Sequence, residues 1–194
     1  MSNYIIIRHA QSNHNKGKTK NLDSALTHLG SEQAENLANE LCKYDLTGHV
    51  MHVSPFLRCL MTAETITKKI PKIRVIIDPL ISEALGPKYA GVFIHRRQYA
   101  FEQFDWSHFV GAGFLQQHED GNEFYPRVEA AFDRMTDKTI VVSHGMFCLA
   151  FAKKAAGTLK KNEHWDDSIG NASITHVSNK SIVKWGCRKH LGTI

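Results

Sequence analysis

Apolar and polar positions along this chain of 194 residues change period several times. Tyr4 to Ile7 form a short unbroken apolar run that stops at Arg8 and His9. Such a run, rich in β-branched residues, reads as a strand buried on both faces. The same pattern recurs near 49–53, 73–77, 139–143 and 173–177. Between these runs apolar residues return every three or four positions, predicting helices near 28–43, 55–69, 122–136 and 146–156. Strands alternating with helices predict an α/β fold: three layers, α/β/α, around a mostly parallel central sheet. THVSNKSIVKW near the end predicts a hairpin around Asn179 and Lys180, which adds an antiparallel element. No Pro/Gly/Ser-rich linker and no internal repeat divides residues 1–194, so one domain is expected.

Polar residues cluster where the predicted strands end. Parallel sheets place ligands just beyond the carboxyl ends of their strands, so these residues are candidates for chemistry. Arg8 and His9 follow the first strand, and Gln11, Ser12 and Asn15 lie in the loop beyond it. In SPFLRCLMTAE, Ser54 is expected as a helix N-cap with Pro55 at the first helical position. That puts Arg58 about one turn into the helix, with Thr62 and Ala63 packing or bonding locally. Glu83 lies on a loop after the third strand. His144 and Gly145 follow the strand 139–143, and Gly145 is expected to let the backbone turn closely. Thr27 reads as the N-cap of the first helix, and Glu123 with Arg127 as a pair within a helix.

Cations aimed at one point suit a phosphoryl group. Arg8 and Arg58 can each hold two oxygens in a planar fork. A protonated His144 would add a further donor, as would the Asn15 amide and the backbone N–H groups at the helix start near Gly145. His9, kept neutral by the neighbouring arginines, would have a ring nitrogen free to attack phosphorus.

Motif order carries a family resemblance. RHAQSNHN resembles the RHGxSxxN signature of the histidine phosphatase superfamily, the phosphoglycerate-mutase-like enzymes. SPFLRCLMTAE is similar to its SPxxRxxxTA and VVSHG to its second histidine motif. LTHLGSEQA, with Leu26, Thr27, Gly30, Gln33 and Ala34, resembles LTxxGxxQA, and GNEFYPRV resembles GESxxxxR. The matches run in family order from residue 5 to about 177. The resemblance implies a phosphoglycerate-mutase-like fold and a phosphohistidine intermediate at His9, with Arg8, Arg58 and His144 acting on the phosphoryl group. It also implies Glu83 as general acid and base; Glu119, Asp120 and Glu123 remain as competing acids in the sequence itself. Substrate binding is expected from Arg8, Ser12, Asn15, Arg58, His144 and Gly145.

Three departures stand out. Ala10 replaces a glycine, which a turn at negative φ tolerates. GNEF lacks the serine that usually follows the glutamate. Residues 86–120, the family's variable substrate-pocket insertion, match nothing. That stretch is aromatic: Phe93, Tyr99, Phe101, Phe104, Trp106 and Phe109 suit core packing, an oligomer contact such as a homodimer, or stacking on a substrate ring.

Mutases of the family this chain resembles typically carry a larger insertion between the acid and the second histidine, so the short interval from Glu83 to His144 implies a phosphatase acting on a small phosphorylated metabolite, with a phosphomutase as the alternative. A non-catalytic module binding phospholigands or nucleic acid is the third reading, and the presence of all five reactive residues speaks against it. The net charge of +5 suits anionic substrates. Lys16, Lys18 and Lys20 would line a pocket mouth and favour substrates with extra negative groups. Neither they nor the cluster Lys68, Lys69, Lys72 and Arg74 interleave with aromatics, so a nucleic-acid partner is not expected. None of the twelve histidines has metal-ligand spacing, including those in HED at 118–120 and HWDD at 164–167. Metal independence and no cofactor are therefore expected. Cys42, Cys59, Cys148 and Cys187 form no framework, and no signal or membrane span is apparent. A cytoplasmic protein with reduced thiols is the expectation.

Overall fold

Ile5, Ile6 and Ile7 are at most 1% exposed, so both faces of β1 (Asn3–Arg8) are covered, as an unbroken apolar run requires. β1 pairs in parallel with β6 (Lys138–Ser143) and antiparallel with β7 (Ile174–Ser178). The computed structural model describes residues 1–84, 92–95, 101–109, 113–116, 119, 121–160 and 169–192. With β2 (Val50–Val53), β3 (Arg74–Ile77) and β8 (Ser181–Cys187), the central sheet has the order β3-β2-β6-β1-β7-β8.

Alternation along the strands divides the core in two. Ile5, Ile7, Met51, Val53, Ile77, Ile140 and Val142 face α1 (His28–Leu41) and α2 (Leu57–Lys69). Tyr4, Ile6, Val141 and Val177 face α3 (Gly121–Asp133) and α4 (Gly145–Ala155). Ala34, Leu37, Ala38 and Leu41 lie at the three- and four-residue spacing that puts one face of α1 inside. This is the expected α/β/α arrangement. Among the described residues no helix is long and apolar enough to cross a membrane.

The terminal hairpin forms as expected. Asn179 and Lys180 both take positive φ, 48° and 63°, as a two-residue turn between right-twisted strands demands. Most element boundaries differ from expectation by one to three residues. The start of α2 differs in kind. Phe56, not Ser54, is the N-cap residue, with extended ψ of 138°, because its fully buried ring packs edge-on against His144. Packing thus holds the chain extended past Pro55. The Leu57 N–H is capped instead by Asp23 Oδ1 at 2.7 Å.

Within 86–120, β4 (Val92–His95) and β5 (Gly113–Gln116) form an antiparallel ribbon that had no sequence signal. Phe101, Phe104, Trp106 and Phe109 are buried in the core on the α1/α2 side, which selects core packing for these four. Asp105 pairs with the outer edge of β3: its N–H reaches the Val75 carbonyl and its carbonyl accepts from Ile77, both at 2.9 Å. An otherwise open sheet edge is covered in this way. The side chains of Phe93 and Tyr99 lie outside the described residues.

Candidate active site

Register brings the reactive residues together. Arg8 lies opposite Ser143, and Val53 lies opposite both Val142 and Ile77, so the loops after β1, β2, β3 and β6 leave the sheet side by side. The loop after β1 is fixed at almost every polar atom. The Ala10 N–H donates to Thr62 Oγ1 at 3.1 Å, and Thr62 Oγ1 donates to the Arg58 carbonyl at 2.7 Å. Ala10 is not among the residues at positive φ, which is why alanine is tolerated there. Gln11 is held by Gln33 Oε1 and by both the N–H and the hydroxyl of Thr27, each at 3.0 Å. Thr27 also caps α1 by accepting from Gly30, as expected. A Cβ at Gly30 would stand 1.9 Å from the Gln11 carbonyl oxygen, so only glycine lets α1 approach this loop so closely.

His9 Nδ1 is 2.7 Å from the Ala10 carbonyl, which assigns the ring proton to Nδ1. Nε2 is then an acceptor, and Arg58 Nε donates to it at 3.0 Å. The same guanidinium donates through Nη2 to His144 Nδ1 at 2.9 Å and through Nη1 to the Leu22 carbonyl. His144 therefore carries its proton on Nε2 and donates to Ser54 Oγ at 2.8 Å. Burial, then the Arg58 charge, hold both imidazoles well below the ordinary histidine range. Both rings are thus held toward the neutral form, so His144 does not add the further charged donor that a protonated ring would supply. Arg8 donates through Nη1 to the Ile169 carbonyl, while its buried Nε has no acceptor among the described residues.

Glu83 is placed from a distance. Asp78 caps the short 3-10 turn Pro79–Ile81, accepting from Leu80 N at 3.0 Å. Ser143 Oγ donates to the Ile81 carbonyl at 2.5 Å. Arg127, expected simply as the helical partner of Glu123, reaches out of α3. It donates to the carbonyls of Leu80 and Ser82 at 2.7 and 2.8 Å and pairs with Glu119. The Glu83 carboxylate accepts from Ala84 N at 3.0 Å and lies near Phe147 N–H in the first turn of α4. Burial raises its pKa above the usual carboxylate range, against the opposing pull of Arg58 and Arg8. Of the competing acids, Glu119 is committed to Arg127, Glu123 is exposed, and Asp120 lies outside the described residues.

Ser12 is buried, and its N–H and hydroxyl both donate to Asn15 Oδ1. Asn171 Nδ2 also donates to this oxygen, at 3.3 Å, and to the His9 carbonyl at 3.0 Å. The Asn15 amide nitrogen thus stays available as a donor. Gly145 is an ordinary first helical residue rather than a special turn. It is not among the glycines at positive φ, and a Cβ there would meet the Arg8 guanidinium at 3.6 Å, an ordinary contact.

Sequence reasoning missed Ser54 as the partner of His144, Asp23 as the cap of α2, Arg127 as the brace of the Glu83 loop, and Asn171. Asn171 precedes Ala172, whose φ of 53° costs a residue with a Cβ about 1 kcal/mol. That conformation points the Ala172 N–H at the carbonyls of Arg8 and His9. All four cysteines are free. Burial pushes the Cys59 thiol up to about 12 and that of Cys148 upward as well, the reverse of what a thiolate nucleophile needs. Among the described residues no group of three or more His, Cys, Asp or Glu side chains could hold a metal ion. The HWDD histidine at 164 and the HED histidine at 118 lie outside the described residues.

A family model described as the histidine phosphatase superfamily, branch 1, matches residues 4–184. Comparison with curated proteins gives no match. Among solved structures, the chain is similar to mycobacterial glucosyl-3-phosphoglycerate phosphatase in complex with VO3. Identity is 20%, coverage is 95% of this chain and 99% of that one, and the TM-score is 0.66. Phosphoserine phosphatase from Entamoeba histolytica in complex with 3-phosphoglyceric acid gives 18% identity, 98% and 100% coverage, and a TM-score of 0.68. Ecdysone phosphate phosphatase from Bombyx mori in complex with tungstate gives 14%, 97% and 94%, and 0.69. At these identities the likeness carries the fold.

Proposed function

Since the chain belongs to the histidine phosphatase superfamily, branch 1, we propose that it is a metal-independent phosphatase that hydrolyses a small phosphomonoester through a phosphohistidine at His9. The observation that carries this reading is the Arg58 guanidinium bridging two neutral imidazoles, His9 Nε2 at 3.0 Å and His144 Nδ1 at 2.9 Å. A nucleophile needs a lone pair aimed at the reacting atom, and His9 Nε2 has one, pointed at the cation that would hold the phosphoryl oxygens.

Substrate oxygens take over the Arg58 donors and supply the acceptor that buried Arg8 Nε lacks. A buried donor left unpaired costs about 1–3 kcal/mol, and an oxyanion removes that cost. Backbone N–H groups of the first turn of α4 add partial positive charge. His9 Nε2 then bonds to phosphorus as the P–O bond to the leaving group breaks. Glu83, whose protonated form burial favours, gives the alkoxide its proton. In the second half, ionised Glu83 takes a proton from water, the water oxygen bonds to phosphorus, and the P–N bond breaks to release inorganic phosphate. Charge stabilisation by fixed cations supplies most of the acceleration in such reactions.

The test is steady-state hydrolysis of p-nitrophenyl phosphate with His9→Ala. We expect a loss of about 10⁴-fold or more in kcat, with inhibition of the unaltered enzyme by vanadate and no loss with a chelator. Unchanged turnover in His9→Ala overturns the reading. Rapid isomerisation of 3-phosphoglycerate with little phosphate release moves it to a phosphomutase.

A further inference from the structure

The carboxyl end of β8 shares the sheet edge that carries His9, because Ile7 lies opposite Ile174 and Ile174 opposite Cys187. Arg188 therefore emerges on the rim of the site. Its side chain is exposed and makes no hydrogen bond or ion pair among the described residues. It lies across Gly170: a Cβ there would stand 2.7 Å from Arg188 Cδ and 3.2 Å from its Nε and Nη1. The missing side chain of Gly170 is thus the space that Arg188 fills.

Gly170 belongs to a four-residue strap tied to the phosphate-binding residues. Arg8 donates to the Ile169 carbonyl, Asn171 donates to the His9 carbonyl and Asn15 Oδ1, and Ala172 N–H donates to the carbonyls of Arg8 and His9. Lys16 follows Asn15 on the other side of the Asn15–Asn171 contact. It too is exposed with no ion pair among the described residues. Two uncommitted cations therefore flank the strap: Lys16 is the chain neighbour of Asn15, and Arg188 packs on Gly170, the chain neighbour of Asn171.

We propose that Arg188 and Lys16 form a second anion subsite on the rim, so that the preferred substrate is a phosphomonoester bearing another negative group on its leaving-group side. This rests on the phosphatase reading above. A carboxylate or a second phosphate would satisfy the guanidinium fork, with Lys16 as a point charge beside it. Because both cations are exposed, the preference weakens with salt.

The experiment compares the unaltered enzyme with Arg188→Gln, Arg188→Lys and Lys16→Gln on p-nitrophenyl phosphate, 3-phosphoglycerate and fructose 1,6-bisphosphate, which separates a carboxylate from a second phosphate. Both glutamine variants should raise KM for the charged substrates about three- to tenfold, the effect of one exposed charge contact. Their kcat values and both constants for p-nitrophenyl phosphate should be unchanged, and Arg188→Lys should retain part of the preference. No KM change on either charged substrate, or an equal change on p-nitrophenyl phosphate, overturns the subsite. Absence of turnover on all three fails the phosphatase reading instead. Calorimetry then decides the subsite: 3-phosphoglycerate must bind the unaltered protein more tightly than Arg188→Gln, and equal binding overturns it.

Discussion

The two halves of the site are built differently. On the α1/α2 side, the His9 loop is bonded at short range by Thr27, Gln33, Thr62 and Arg58, and Gly30 lets α1 press directly on it. On the α3/α4 side, among the described residues the Glu83 carboxylate accepts from its neighbour Ala84 N and lies near the Phe147 N–H, while its loop is held through the carbonyls of Leu80, Ile81 and Ser82. The ring of His9, the proposed nucleophile, is held from both sides, by the Ala10 carbonyl and by Arg58; Glu83, the proposed acid, sits on a loop braced by Arg127 through its carbonyls. Such a division suits the proposed chemistry, since attack needs a fixed lone pair whereas a proton donor must serve first a leaving group and then a water.

Removing the acid should separate the halves most strongly. Glu83→Gln should lower kcat about 10²–10⁴-fold on alkyl phosphates, and much less on p-nitrophenyl phosphate, whose leaving group needs no proton. Equal losses on both would mean that Glu83 shapes the pocket without transferring a proton. Arg127→Ala should act next. It leaves Glu119 unpaired and two carbonyls without donors, so kcat should fall about tenfold at constant KM, with about 3 kcal/mol of stability lost by denaturant titration. A rise in KM alone would contradict a brace that serves only the acid.

The smallest effect is a pH slope belonging to the nucleophile half. His9 is held well below its ordinary value by burial and Arg58, so the unfolded chain binds a proton that the native protein refuses. Stability is intact above the unfolded value near 6.5 and declines as pH falls below it, by up to about 1.4 kcal/mol per pH unit for this group. His9→Gln should show a shallower decline between pH 7 and 5 in denaturant titrations. Parallel curves would mean that His9 is protonated in the native state.

The same contrast decides what the sequence could reveal. Arg8, His9, Arg58, Glu83 and His144 could be singled out because each lies at a strand end or in the loop or helix start beyond one, and strand ends show in apolar runs; a role for Glu83 came only with the family resemblance. Thr27 was legible as a cap because capping is local. The binding of Ser54 to His144 joins residues 90 apart, and Asp23 caps a helix 34 residues away; no local pattern encodes either. Ser54 was misread because its position before Pro55 imitates a helix start, whereas burial of Phe56 moves that start two residues on. Arg127 looked like a helix-surface pair until α3 was placed beside the 3-10 turn. Within 86–120, Phe101, Phe104, Trp106 and Phe109 could be read only as aromatic, because what they pack against is set by the edge of β3. The protonation of His144 escaped for a related reason: residue type shows the arginines, not the burial that outweighs everything else in setting its charge.

The most direct measurement is acid-free trapping of the enzyme during turnover, followed by digestion and mass spectrometry of the phosphorylated peptide. One phosphoryl group is expected on His9, bound through Nε2 and absent from His9→Ala. A label on another side chain, or none at any point in turnover, would contradict it.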